Sequence, residues 1–171
     1  MGVLERDDDR GAGELLAAER DVQERLRGRT VDFDSMDAVS NIYRAASAVR
    51  LRAEREVLSA HGLSWGGFTI LWVLWVWRAM ETARLAEECG LAKGTLTGML
   101  KTLERRQLVV RERVEADLRR VRVDITDAGI ELIEAVVPQF NDFEGAATAS
   151  LTPAEKRELA RLLRIVIHEN E

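Results

Sequence analysis

The chain has little of several things that usually announce a function. Among its 171 residues there are one cysteine, two prolines, two histidines and one tyrosine. A lone cysteine, Cys89, closes no internal disulfide, so the default setting is a reducing cytoplasm. Two prolines interrupt almost nothing, which favours long helices. His61 and His168 are far apart and stand at no metal-ligand spacing with Cys89, so neither a metal site nor a catalytic dyad is expected from them. No nucleophile–base–acid set and no phosphate loop can be picked out, and the chain reads as neither an enzyme nor a cofactor carrier. The opening MGVLERDDDR has no apolar core of a secretory signal. The most apolar stretch, Phe68 to Val76, is too short to span a bilayer, so no membrane partner is expected.

What is present is a hydrophobic share of 46% beside a charged share of 32%, the balance of a helix-rich globular protein large enough to bury its own core. The net charge of −5 argues at first against nucleic acid. Its distribution argues the other way. From Arg84 to Arg122 there are ten Lys/Arg and six Asp/Glu, a local excess of +4 that leaves −9 for the remainder. A basic module sits in an acidic body.

Periodicity divides the chain. Residues 1–12 are polar and read as a disordered start. Leu15, Ala18, Val22 and Leu26 share one face of a short helix over 13–27, which is too short to stand alone and must dock. After a linker at 30–34, Asp34 or Ser35 can cap a long helix reaching about Ala60, with Val39, Tyr43, Ala46, Val49, Ala53 and Val57 at helical spacing. His61-Gly62 ends it. Ser64 caps the next helix, in which Phe68, Leu71, Trp72 and Trp75 predict the buried stripe. A short helix over 82–88, a turn at Gly90 and a helix over 92–106 follow. The period then changes to two: Val121, Val123 and Ile125 alternate with Arg120, Arg122 and Asp124, and residues 109–114 supply the partner strand, with the turn at 115–118. Thr126 caps a helix to about Ala149 that Pro138 should kink. Thr152, Pro153 and Glu155 open the last one with a capping box.

Helix, tight turn, helix and hairpin in that order describe a winged helix-turn-helix. In its second helix Leu96, Leu100 and Leu103 point inward, and Lys93, Gly94, Thr97, Gly98 and Lys101 share the exposed side with no acid until Glu104. Small residues let a helix approach base edges; threonine can donate, accept or press its methyl on thymine, and lysine can reach guanine or phosphate. Thr95 is a further candidate. An ordinary solvated helix has the same period, but the hairpin adds Arg111, Arg113, Arg119, Arg120 and Arg122, and arginine at a loop tip suits a narrow minor groove.

The segment ARLAEECGLAKGTLTGMLKTLERRQLVVRERVEADLRRVRVDITDAG, residues 83–129, resembles the multiple antibiotic resistance regulator (MarR) family, and the likeness extends over roughly residues 35–167. Asp117-Leu118-Arg119 matches the family's Asp-x-Arg wing element, and Ile125-Thr126-Asp127-Ala128-Gly129 its Leu-Thr-x-x-Gly element. The resemblance implies that Arg119 enters a minor groove while Asp117 orients it by a charge-assisted hydrogen bond. It implies a mainly α fold with a small β-hairpin wing, and a homodimer whose long N- and C-terminal helices interlock. The division that follows is an N-terminal extension at 1–34, core and dimerisation helices at 35–80, the winged helix-turn-helix at 81–125 and dimerisation helices at 126–171. It also implies an effector pocket, for which Tyr43, Arg44, Trp72 and Trp75 are the candidates and a small aromatic or amphipathic molecule the occupant; simple core packing is the other reading of the tryptophans. The expected partners are double-stranded DNA and a second copy, in the cytoplasm on the nucleoid; the competing reading is a helical dimer that binds protein and not DNA. Two residues depart from the family. Gln107 stands where a glycine is usual, and a left-handed residue there costs glutamine about 1 kcal/mol. Gly98 replaces a larger polar residue. Cys89 beside Glu87 and Glu88 reads as core packing rather than as an oxidant sensor, since nearby acids raise a thiol pKa.

Overall fold

The computed structural model describes residues 14–114 and 117–170, with only the backbone of 114 and 117–119. The chain forms two compact units that divide after Ser47.

The first unit holds α1 (Ala17–Arg25) and the opening half of α2 (Phe33–Glu56). Asp32, not Asp34 or Ser35, caps α2: its carboxylate accepts from the Ser35 N–H at 3.1 Å and the Ser35 hydroxyl at 2.5 Å. Leu15, Ala18 and Val22, the stripe expected to dock α1 on a dimer core, are exposed in the single chain. The face turned to α2 is centred instead on Glu19, Gln23 and Leu26. The Glu19 carboxylate is only 4% exposed, and accepts from the Leu16 N–H at 2.5 Å and the Asn41 amide at 2.6 Å. Arg44 lies 3.8 Å away. These partners, the Leu16 N–H foremost, hold its carboxyl below the usual carboxylate range. Gln23 donates to Asp37 at 3.0 Å. A buried acid costs several kcal/mol unless it is paired and hydrogen-bonded, so these contacts fix the rotation of α1 and leave its aliphatic stripe to one side.

The second unit is built around α3 (Trp65–Trp77). No charged residue occurs in that helix; a helix apolar all round belongs in the centre of a fold. Ser64 caps it, accepting from the Gly67 N–H at 3.2 Å. Its most buried side chains are Ile70, Leu71 and Leu74. Trp72 is 37% exposed and Trp75 half-buried, contrary to the stripe expected. With Thr69 as its one polar side chain, helical spacing alone could not select among the apolar faces. Before α3, α2 stops at Glu56 and a 3-10 turn, Leu58–His61, completes the stretch predicted as helix. Gly62 closes that turn with φ +63°.

Against α3 pack α4 (Thr82–Glu88), α5 (Lys93–Arg105), β3 (Asp117–Ile125) and α6 (Asp127–Ala147), while β1 (Met80–Glu81) and β2 (Val109–Val114) flank β3. The sheet order is β1-β3-β2, all antiparallel, with Arg111 opposite Val123 and Val109 opposite Ile125. The two-residue β1 pairs Met80 with Val123 and Glu81 with Arg122. It makes the expected hairpin three-stranded. Last comes α7 (Pro153–His168), opened by the predicted capping box of Thr152 and Glu155. None of its residues is buried. Among the described residues no helix is long and apolar enough to cross a membrane.

Candidate nucleic-acid interface

The α4–α5 pair is fixed from below by aliphatic packing. Leu85 and Ala86 of α4 and Leu96, Leu100 and Leu103 of α5 are buried. Between them Gly90 takes φ +60°, and the Leu91 N–H reaches back to the Ala86 carbonyl at 2.8 Å. This left-handed closure ends α4 within one residue and frees the chain to turn. Lys93, Gly94, Thr95, Thr97, Gly98 and Lys101 are all exposed, and no acid occurs in the first turn of α5. Carbon atoms built onto Gly94 or Gly98 would meet nothing within 4 Å, so the packing of the fold does not require either glycine. The Thr97 hydroxyl donates to the Lys93 carbonyl at 2.8 Å. It keeps its acceptor lone pairs and its methyl for a ligand.

The far end of α5 is held by residues that periodicity did not single out. Gln107 takes φ +60°, so glutamine occupies the left-handed position expected for glycine. Its N–H bonds the Glu104 carbonyl at 2.8 Å and the Leu108 N–H bonds the Leu103 carbonyl at 3.0 Å, a Schellman closure whose two leucines are buried. The Arg106 guanidinium donates to the carbonyls of Gly62 at 2.5 Å and His61 at 2.9 Å. Thr126 ties the base of the hairpin to the same place: its hydroxyl donates to the Gln107 carbonyl at 2.6 Å and its N–H to the Leu108 carbonyl at 3.1 Å. One turn on, a carbon added to Gly129 would sit 2.2 Å from the Leu108 carbonyl oxygen. The Thr-x-x-Gly spacing therefore serves a close approach of α6 to the end of α5.

The hairpin cations divide by role. Arg111 pairs with Glu104 of α5, an interaction that raises its pKa further. Arg120 pairs with Glu81 of β1, and that arginine holds the Glu81 carboxyl below its usual range. Both arginines thus brace the wing internally. Arg113 is exposed. The side chains of Asp117 and Arg119 lie outside the described residues.

Of the four residues expected at an effector pocket, Trp72 lines a groove between α3 and α6, and the Trp75 indole donates to Glu134 at 3.4 Å. Tyr43 and Arg44 belong to the first unit, where Tyr43 is 72% exposed. Cys89 is half-buried. Burial first, and then Glu88, pushes its thiol up to about 11. Among the described residues no group of three His, Cys, Asp or Glu is placed to hold a metal ion.

The MarR family model matches residues 63–121, which take in α3, the helix-turn-helix and most of the hairpin. Over 156 residues the chain is 38% identical to the HTH-type transcriptional regulator YwaE of Bacillus subtilis, covering 90% of this chain and 91% of that protein. The chain belongs to the MarR family. Among solved structures the MarR-type fold recurs in Sco3205, a MarR family transcriptional regulator from Streptomyces coelicolor solved in complex with DNA. The TM-score is 0.74 at 22% identity, covering 82% of this chain and 90% of that one. It recurs also in Bordetella bronchiseptica BpsR, whose DNA binding is regulated by 6-hydroxynicotinic acid, with a TM-score of 0.71 at 23% identity over 75% and 97% of the two chains.

Proposed function

We propose that this MarR-family regulator is a homodimer that reads double-stranded DNA, with α5 in the major groove and the hairpin tip against the minor groove. It acts by binding and not by catalysis, in the cytoplasm on the nucleoid. The observation that carries this reading is the exposed side of α5, where two lysines, two threonines and two glycines stand without an acid. Lys93, Thr95, Thr97, Gly98 and Lys101 are the proposed contacts from the helix, and Arg113, Asp117 and Arg119 those from the wing. Arg111 and Arg120 add positive potential while holding the hairpin rigid.

The dimer reading is supported by α7, where Leu159, Leu162, Ile165, Val166 and Ile167 are each 42–52% exposed. An amphipathic helix with no buried residue calls for a partner, and a two-fold dimer would present two reading helices about 34–36 Å apart. The division at residues 34, 80 and 125 follows: extension, core helices, reading module, dimer helices. A small-molecule effector near Trp72 and Trp75 is supported by the groove there; BpsR is a relative in fold that has such regulation.

Genomic footprinting with the purified protein, followed by fluorescence anisotropy on the site found, tests the reading. Thr97→Ala should lower the ratio of operator to random-DNA affinity, and Arg119→Ala should weaken both with fold and dimer intact. No binding to any duplex by folded dimer would leave the protein-interaction reading in its place.

A further inference from the structure

The groove on the second unit is walled by Trp65, Phe68 and Trp72 of α3 and by Phe140, Asn141 and Glu144 of α6, and encloses about 420 Å³. That volume suits one drug-sized molecule. Its floor is a continuous aromatic surface. Phe68 stacks on Phe140 with centroids 4.5 Å apart, and Trp65 and Trp72 tilt against them at 6.0 and 6.2 Å. Aromatic faces are negative.

Of the polar groups at the rim only Glu144 is charged. Asn141 donates its amide to Glu144 at 3.2 Å, and the Thr69 hydroxyl is turned to the Trp65 carbonyl at 2.9 Å. Among the described residues no basic side chain lines the groove. Glu144 takes part in none of the ion pairs among the described residues. Arg52 lies over Phe143 at 5.4 Å, but it is already bound to Glu56 at 2.9 Å. Arg44, the cation that sequence reading put at the pocket, pairs with Glu19 in the first unit.

We propose that this groove selects a lipophilic cation and rejects carboxylates. The proposal rests on the effector reading above and gives the effector its charge, opposite to that of the acid that regulates BpsR. A carboxylate seated here would lose its hydration beside Glu144 with no cation among the described lining residues to replace it, whereas an onium group would meet aromatic rings on one side and a carboxylate on the other.

The test uses two probes of one shape and opposite charge, tetraphenylphosphonium and tetraphenylborate, titrated into the full-length protein by tryptophan fluorescence. The phosphonium should quench saturably and bind at least about tenfold more tightly than the borate, the scale of a desolvated cation–π contact. Glu144→Gln should reduce phosphonium affinity several-fold and narrow the preference. Asp142→Asn, an exposed acid two residues away that does not line the groove, should change neither. Equal or tighter borate binding overturns the proposal. So does an equal effect of the two substitutions, which would mean attraction to the net negative chain and not to a site. DNA affinity measured in parallel separates the two readings. Glu144-dependent phosphonium binding that leaves DNA affinity unchanged upholds the charge assignment and removes the effector role. Release of DNA by an anion whose binding needs Trp72 upholds the effector role and overturns the charge assignment.

Discussion

Gln107 shows how a single residue can bear strain for a whole module. Its left-handed φ of +60° is the conformation that lets the Leu108 N–H close on Leu103. Glutamine pays about 1 kcal/mol for it relative to glycine. Gln107→Gly should therefore raise stability by about 1 kcal/mol, seen as a rise in Tm of about 2–4 °C for a chain of this size. An unchanged or lower Tm would mean that the left-handed turn is not strained. Cys89 gives a second prediction at this scale. A thiol pushed up to about 11 has about 100-fold less thiolate at pH 7 than an ordinary thiol at 9.0. Nucleophilicity rises with pKa and recovers roughly tenfold of that loss. Iodoacetamide should then alkylate Cys89 about tenfold more slowly than a free thiol at neutral pH, and the rate should still be climbing at pH 10. Rapid alkylation that levels off near pH 7 would restore the oxidant-sensing role.

Among the elements, α5 is the one whose fold and proposed contacts can be pulled apart by substitution. A carbon added at Gly98 would meet nothing within 4 Å among the described residues, and glycine in a helix interior costs about 0.8–1.0 kcal/mol relative to alanine. Gly98→Ala should stabilise the fold by about that amount. Gly98→Glu should fold as well as the parent and lose DNA binding by 100-fold or more, because it sets an acid in the middle of the face offered to phosphates. Circular dichroism and anisotropy on the same samples decide it, and a Gly98→Glu protein with parental DNA affinity would remove α5 from the groove. This helix was legible in sequence because Leu96, Leu100 and Leu103 alternate with small and basic residues, and the hairpin was legible because the period drops to two. The faces of α3 and α1 were not. In α3 a single threonine, Thr69, is too weak a marker of the outward side to tell Trp72 and Trp75 from Ile70 and Leu74. In α1 hydrogen bonds from Asn41 and to Asp37 chose the docked face, and such partners leave no trace in a hydrophobic period. The pairing of Arg120 was equally hidden, since its partner Glu81 belongs to a strand only two residues long; that of Arg111 reaches across to Glu104 of α5, a tertiary contact that no period marks.

At the scale of the molecule, the exposed aliphatic side of α7 makes the assembly state testable. Leu162→Glu should convert a dimer to a monomer by light scattering while α-helical content stays nearly constant, and operator affinity should fall steeply as the second half-site contact is lost. A dimer of undiminished stability would mean that α7 is not at the interface. The junction of Gln107, Leu108, Thr126 and Gly129 has a mechanical consequence. The end of the proposed reading helix, the root of the wing and the first turn of α6 are pinned there by two hydrogen bonds and one backbone contact too close for any side chain. With 21 residues running as one continuous helix through Pro138, α6 is a rod roughly 30 Å long. Swinging such a rod by about 5° moves its end by only 2–3 Å, roughly one base-pair step, if the rest of the helix stays rigid. Helix, wing and rod would travel together, so a ligand lodged along α6 would change the span between two half-sites while leaving the grip on each one intact.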